Sequence, residues 1–418
     1  MTASATAGLA IVGFTWLAEA AFGMFQRVIA PQWWLTILWM SCMCGAIVWS
    51  TRRFAPGAAG SGIPQVMVAL EPSLLSSQRG GFVSLMLSIY KTVLTSAGLL
   101  GGLSIGREGP SVQIAAGVML AAKRFLPQQS TVHARALLIA GGSAGIAAAF
   151  NAPLAGVMFA IEELARSPEQ RNSGLIVAGI VLAGLIAVAL EGNATHFGVI
   201  HPGPIGMTLL WPGLFVTIVA GAAGGLFARL LLASLKSAPA DLAGRLRNRY
   251  PVRFAMSCGA AVALIGIASG GAIFGSSDRA TLLLLDGAQA VTMDFAFLKF
   301  IATWLTVWSG TPGGIFAPSL AIGAGLGSNV ATLIHYPHAP ALIALGMVGF
   351  LAAATQAPLT SFIIVMEMVD GHAMVLSLMA CAVTASTISR VLSPPLYGAL
   401  AELQLASLPK PVDVHAPP

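Results

Sequence analysis

Charge is what this sequence has least of. Only 9% of its 418 residues are Asp, Glu, Lys or Arg, against about 25% in soluble domains. With a mean hydropathy of +0.84, a soluble fold of this size could not hide its apolar surface, so the chain reads as membrane-integral. Cysteine is scarce as well. Cys42, Cys44, Cys258 and Cys381 all sit in apolar stretches, which argues against a disulfide framework or a zinc site and predicts buried small hydrophobes. No HExxH or CxxC spacing accompanies His335, His338 or His372, so neither a metal nor a cofactor is expected. The N-terminus lacks a basic n-region, and Leu9 to Phe25 reads as a retained membrane segment, not a signal peptide. The net charge is a modest +6. Its main cluster, Lys236, Arg245, Arg247, Arg249 and Arg253, fits a cytoplasmic loop better than a nucleic-acid surface.

What the chain does have is long uncharged runs: Ile205 to Ala228, Phe254 to Ser277, and everything between Lys299 and Glu367. About 20 apolar residues span a bilayer as helix. The runs are continuous and not alternating, so helices are expected and a barrel is not. The 47 glycines and 24 prolines are many for simple spanning rods. They predict short, tilted or interrupted helices, whose breaks survive at membrane depth only when buried in protein or lining a wet cavity. Expected spans include Ala7 to Phe25, Trp33 to Trp49, Gly80 to Leu103, Ser143 to Arg166, Asn172 to Leu190 and Ile205 to about Leu235. Arg253 to Ser269, Phe295 to Trp308, Leu342 to Ala353, Pro358 to Met368 and Met374 to Val391 follow. Residues 1–408 read as one transmembrane domain with a short polar tail, 409–418, and no soluble regulatory domain.

Three breaks stand out. Gly106-Arg107-Glu108-Gly109-Pro110 is a charged, glycine-framed pentapeptide inside apolar sequence. Proline suits a first helical turn, where its missing N–H costs nothing. The free amides of such a start favour an anion, and the Glu108 carboxylate is a candidate occupant. Gly60-Ser61-Gly62-Ile63-Pro64 and Ser309 to Pro318 are breaks of the same kind, and Ser393 to Tyr397 opens a last helix.

The second half echoes the first. Ala148 to Leu154 resembles Ala353 to Leu359, and that register carries Glu162 onto Glu367. Pro110 to Gly117 resembles Pro318 to Gly325, and that register carries Glu108 onto Phe316. Two related halves are expected, about 1–195 and 205–408. In transporters built this way, broken helices aim their ends at a midplane substrate. Glu162 and Glu367 are equivalent, so a shared structural role is the simplest account. Glu108 and Glu163 have no acidic counterpart, which makes them the better functional candidates. Gly323, Gly325 and Gly327 follow no strand and predict close helix packing over nucleotide binding. Lys91 is an intramembrane cation with two open readings, a functional group or a snorkelling or paired structural one. Arg107 is expected to pair with an acid or with carbonyls that hold its break.

Taken together, Gly60-Ser61-Gly62-Ile63-Pro64, Gly106-Arg107-Glu108-Gly109-Pro110 and Gly313-Gly314-Ile315-Phe316-Ala317-Pro318 resemble the three signature segments of the CLC chloride channel and transporter family. The resemblance covers almost the whole chain. It implies an all-α membrane fold of two inverted repeats, assembled as a homodimer with one pathway per subunit in a bacterial inner membrane. It implies an anion held by Ser61, Gly62, the Ile315–Phe316 amides and Tyr397. Glu108 matches the family's gating glutamate, with Gly106, Arg107 and Gly109 shaping its break. Glu163 matches the inner glutamate through which exchanger members take up protons. Gln65 departs from the acid often found after the first motif's proline. Ser61 favours chloride by the same resemblance.

Chloride needs donors without a full countercharge, since a tightly paired ion would not leave. The implied activity is chloride/proton exchange. The alternative is a passive chloride channel on the same fold. The remote alternative is an intramembrane enzyme, which would need a nucleophile with a base partner.

Overall fold

The computed structural model describes residues 1–125, 133–165, 173–192, 195–200, 206–236, 242–287 and 291–408. Arg166 and the tail from 409 lie outside them. Among the described residues there are nineteen α-helices and no strand. The first half runs α1 (Thr2–Met24), α2 (Trp33–Phe54), α3 (Ile63–Leu70), α4 (Ser76–Arg79), α5 (Leu85–Leu100), α6 (Glu108–Ala121), α7 (Ala134–Phe150), α8 (Pro153–Phe159) and α9 (Ser173–Glu191). The second runs α10 (Met207–Lys236), α11 (Leu242–Arg249), α12 (Pro251–Ala268), α13 (Asp278–Leu285), α14 (Phe295–Ser309), α15 (Phe316–Leu333), α16 (Ala339–Thr355), α17 (Pro358–Met368), α18 (Val375–Leu392) and α19 (Leu396–Ala406).

Among the described residues, five segments are long and apolar enough to cross a membrane: Thr2–Ile29, Trp33–Phe54, Met207–Lys236, Pro251–Ala268 and His372–Leu392. Most of the other apolar helices are shorter, Leu85–Leu100, Phe295–Ser309 and Pro358–Met368 among them, as the glycine and proline content predicts. Two expected spans are corrected. Gly80 to Leu103 is not one helix: the Ser84 hydroxyl accepts from Leu87 N at 3.3 Å and starts α5 there. Ser143 to Arg166 is not continuous either. Asn151 turns left-handed at φ 53°, and Pro153 restarts the chain as α8. Its mate Gln356 does the same at φ 61° before Pro358 and α17. Cys42 is also corrected. Cys44, Cys258 and Cys381 are buried, but Cys42 is exposed, because it faces away from the buried Met40–Cys44–Val48 stripe of α2.

The repeat sets the packing. α6 lies against α7, and their mates α15 and α16 lie together in the same way. The close approach needs small residues. A Cβ on Gly141 would fall 2.7 Å from Ala115 O, and one on Gly327 would fall 2.7 Å from Ile343 Cα. The glycine pattern is used for close helix packing.

Glu162 and Glu367 cap helices across the two halves. The Glu162 carboxylate accepts from Leu359 N at 3.0 Å and Thr360 N at 2.7 Å, at the start of α17. Glu367 accepts from Leu154 N at 3.2 Å and Ala155 N at 2.8 Å, at the start of α8. Each carboxylate satisfies amides with no intrahelical partner and sits at the positive end of a helix dipole. Loss of a cap costs about 1–2 kcal/mol. Glu162→Ala and Glu367→Ala are therefore each expected to lower the thermal midpoint of the detergent-solubilised protein. Wild-type midpoints for both would remove the capping role.

Candidate functional site

The three breaks meet. Gly106 N donates to Gly314 O and Gly314 N donates to Gly106 O, both at 2.8 Å. Gly313 N donates to Gly60 O at 3.0 Å. These bonds fasten the starts of α6 and α15 side by side and hang the Ser61 turn beneath them. The glycines are needed for the approach. A Cβ on Gly109 would sit 2.9 Å from Ser61 O, and one on Gly106 would strike the Glu108 carboxylate. Gly62 takes φ +106° to start α3, a region L side chains rarely adopt.

Glu108 is the first residue of α6 and is 4% exposed. Its carboxylate reaches across the junction to Ala317 N, at 3.4 Å, in the first turn of α15. A tethered anion thus lies on the amides of the opposing helix. Arg107 does not neutralise it by a direct ion pair; its guanidinium pairs with Glu19 at 2.5 Å. Of the two partners expected for Arg107 from the sequence, an acid or backbone carbonyls, the structure shows an acid, Glu19.

Ser61 and Tyr397 come together beside this junction. Gly62, not Ser61, caps α3, so Ser61 is no ordinary helix cap. Tyr397 is 1% exposed, so it is no interfacial belt residue. Both line one cavity, and neither buried hydroxyl oxygen completes a hydrogen bond to the protein. Two hydroxyls left this way are ready donors to something that is not protein. Phe316 packs its ring 6.0 Å from that of Tyr397, with Phe150 at 6.2 Å and Phe159 at 6.5 Å on its other sides. The aromatic cluster fixes the wall, and the Ile315–Phe316 backbone faces the junction.

A cavity of about 250 Å³ opens onto Ser61, Ile315 and Tyr397, with Arg247 and Gln404 further out. A second, of about 370 Å³, is lined by Glu163, Glu71, Arg135 and Glu402. Glu163 itself is 7% exposed. The two cavities share α19 as a wall. Tyr397, Leu400, Leu403, Gln404 and Ser407 face the first, while Gly398, Ala401, Glu402 and Leu405 face the second.

Lys91 neither snorkels nor pairs with an acid. It is fully buried and donates to Ala58 O at 2.8 Å and Gly60 O at 2.5 Å. The sequence reading missed its counterpart. Lys299, also fully buried, donates to Ile273 O at 3.0 Å and Gly275 O at 2.7 Å. The register that carries Pro110 onto Pro318 also carries Lys91 onto Lys299, so the signal was present. Each lysine pins the loop just before a short helix. No group of His, Cys, Asp and Glu able to hold a metal occurs among the described residues.

The arrangement defines a class: a helical membrane protein whose interrupted helices meet around a buried carboxylate and two buried hydroxyls without protein partners. The family model described as voltage gated chloride channel matches residues 37–390, and the chain belongs to that family. It is 32% identical to the H(+)/Cl(-) exchange transporter ClcA of Cronobacter sakazakii, over 96% of this chain and 88% of that one. It is 29% identical to the ClcA of Klebsiella pneumoniae strain 342, over 96% and 87%. Among solved structures it resembles a slow cyanobacterial Cl-/H+ antiporter, with TM-score 0.82, 26% identity and coverage of 97% and 98%. It shares its fold with a CLC-type fluoride/proton antiporter, with TM-score 0.76, 21% identity and coverage of 95% of each chain. The inverted-repeat fold implied by the sequence is the fold observed.

Lys91→Met would leave the Ala58 carbonyl buried without a partner, at a cost of about 1–3 kcal/mol. A lowered thermal midpoint in detergent is expected. An unchanged one would show that Lys91 does not hold the Ser61 turn.

Proposed function

We propose that this protein exchanges chloride for protons across a bacterial inner membrane. The observation that carries the reading is the Glu108 carboxylate on the amide of Ala317, next to the unbonded hydroxyls of Ser61 and Tyr397. An anion and a carboxylate want the same helix ends. Only one can hold them at a time. Protonation removes the charge of Glu108 and with it the claim on those amides, so the anion takes its place. Each exchange of Glu108 for the anion thereby moves a proton.

Ser61 and Tyr397 donate to the chloride, the Ile315–Phe316 amides polarise it, and Gly62 lets the Ser61 turn face it. No full countercharge touches the ion, so it can leave. Basic residues on both cavities, Arg247 and Arg135, make that face cytoplasmic by the positive-inside tendency. Glu163 then receives protons from the cytoplasm through its own cavity, apart from the anion's. That second cavity favours an exchanger over a passive channel, which has no use for it. Residues 1–408 act as one membrane domain. Two copies form a homodimer, each with its own pathway.

Proteoliposome flux with chloride and protons recorded together tests the assignment. Glu108→Gln is expected to keep chloride flux and lose proton coupling, so that its reversal potential ignores a pH gradient. Proton flux driven by a chloride gradient in this variant would sink the role of Glu108. Separately, Glu163→Gln should keep chloride movement while abolishing uphill proton pumping. Intact pumping would take proton uptake away from Glu163. Because protonation frees the amides, wild-type turnover should rise as the outer solution is acidified.

A further inference from the structure

The two cavities differ in the sign of their charge. Among the described residues, the one that reaches Ser61, Ile315 and Tyr397 has a single charged side chain on its wall, Arg247, and no acid. The one that reaches Glu163 carries Glu71 and Glu402 as well, with Arg135 as its one cation. The two arginines are also used differently. Arg135 is committed to the backbone, donating to Leu70 O at 3.0 Å and Ala165 O at 3.2 Å. Among the described residues, Arg247 makes no ion pair, hydrogen bond or ring contact.

Helix α11 turns this one side chain inward. Leu242, Arg245, Leu246 and Arg249 form its exposed stripe, at the spacing of one helical face. Arg247 lies on the other side, half-buried, three residues after the buried Gly244. Arg249 is taken up by Tyr250, as is Arg253 from α12, each guanidinium 5.4 Å from the ring. Arg247 is left uncommitted, and it is the one residue that α11 contributes to the cavity wall. The cavity runs along α19, from the buried Tyr397 to the exposed Ser407. Ten residues separate these two, about 15 Å at 1.5 Å per helical residue. The buried end therefore holds hydroxyls, and the wall that leads out to solvent holds a cation. A guanidinium stays charged at any cellular pH and is weakly hydrated, which suits it to meet an anion that is losing its own water. Partly withdrawn from water and given no acid in return, it keeps its demand for a counter-ion.

We propose that Arg247 is the anion-capturing group of the Ser61–Tyr397 cavity and sets the affinity for chloride on that side of the membrane. This deepens the exchanger reading above and rests on it. The guanidinium draws chloride into the cavity and replaces part of its water with N–H donors. The ion then passes to the hydroxyls of Ser61 and Tyr397. A lone, half-exposed cation holds an anion loosely enough to release it. The same charge repels cations, while Glu71 and Glu402 attract them at the other cavity. Chloride and protons are thus sorted between the two routes before either reaches Glu108.

The test uses uniformly oriented proteoliposomes of the full chain, with initial rates measured as chloride is varied on one side at a time. Arg247→Gln should raise the half-saturating chloride concentration on the cytoplasmic side on the order of tenfold. Its maximal rate, its proton-to-chloride ratio and its half-saturation on the opposite side should stay near those of wild type. Arg247→Lys, which keeps the charge, should recover most of the affinity. Arg249→Gln, on the exposed stripe of the same helix, should shift half-saturation far less than Arg247→Gln does. An impermeant salt on the cytoplasmic side should weaken wild-type affinity towards that of Arg247→Gln, because salt screens such an attraction. Wild-type half-saturation in Arg247→Gln would overturn the proposal. So would an equal shift in Arg249→Gln, which would mean general surface charge, or a lysine variant as weak as the glutamine one. A lower maximal rate with unchanged half-saturation would overturn it too. If wild-type vesicles show no coupled movement of chloride and protons, the exchanger reading itself has failed. If they do and Arg247→Gln is normal, only this inference has.

Discussion

Two hydrogen bonds hold the site together. Gly106 and Gly314, equivalent residues of the two halves, exchange N–H and C=O groups in both directions. Helix starts repel one another, because each presents the positive end of its dipole. Bringing the starts of α6 and α15 to one point is therefore unfavourable unless something anionic sits between them and something rigid prevents their separation. Glu108 supplies the first and the glycine pair the second. A side chain at Gly314 would press on Gly109 N of the other helix start, and one at Gly106 would displace the Glu108 carboxylate, so backbone geometry and electrostatics make the same demand on the sequence.

The buried lysines belong to the same balance. Moving an ammonium out of water costs several kcal/mol even after relaxation, and the carbonyls that receive Lys91 and Lys299 offset only part of it. Carbonyls used in this way are also turned from the path. As an ammonium, Lys91 leaves positive potential at the Ser61 turn, which suits an anion better than the hydroxyls alone would. In the second half, Lys299 holds the carbonyls of Ile273 and Gly275, in the turn that leads to Asp278 at the start of α13. One architectural element, a buried lysine on the carbonyls before a short helix, is used in both halves.

Much of this was readable in the sequence because glycine and proline mark breaks locally. The Ser61, Glu108 and Phe316 segments were visible as helix starts, and the register between halves separated Glu162 and Glu367 from Glu108 and Glu163. What escaped is long-range. Nothing near Arg107 points to Glu19, which lies 88 residues away. Lys299 sat in a register already identified and went unremarked because a lone lysine in apolar sequence suggests snorkelling. The basic cluster around Arg247 looked like a loop because charge is so uncommon here, yet part of it folds as α11.

Helix α19 carries a mechanical implication. Tyr397 is in its first turn, and its opposite flanks border the Ser61 cavity and the Glu163 cavity. A rigid rod between two openings cannot enlarge both. Tilting it one way widens the route to the tyrosine and squeezes the carboxylate's route; tilting it back does the reverse. Under the proposed exchange, opposed apertures on a single lever would keep the two ions from passing freely at the same moment, with steric exclusion at the two mouths adding to the competition proposed at Glu108.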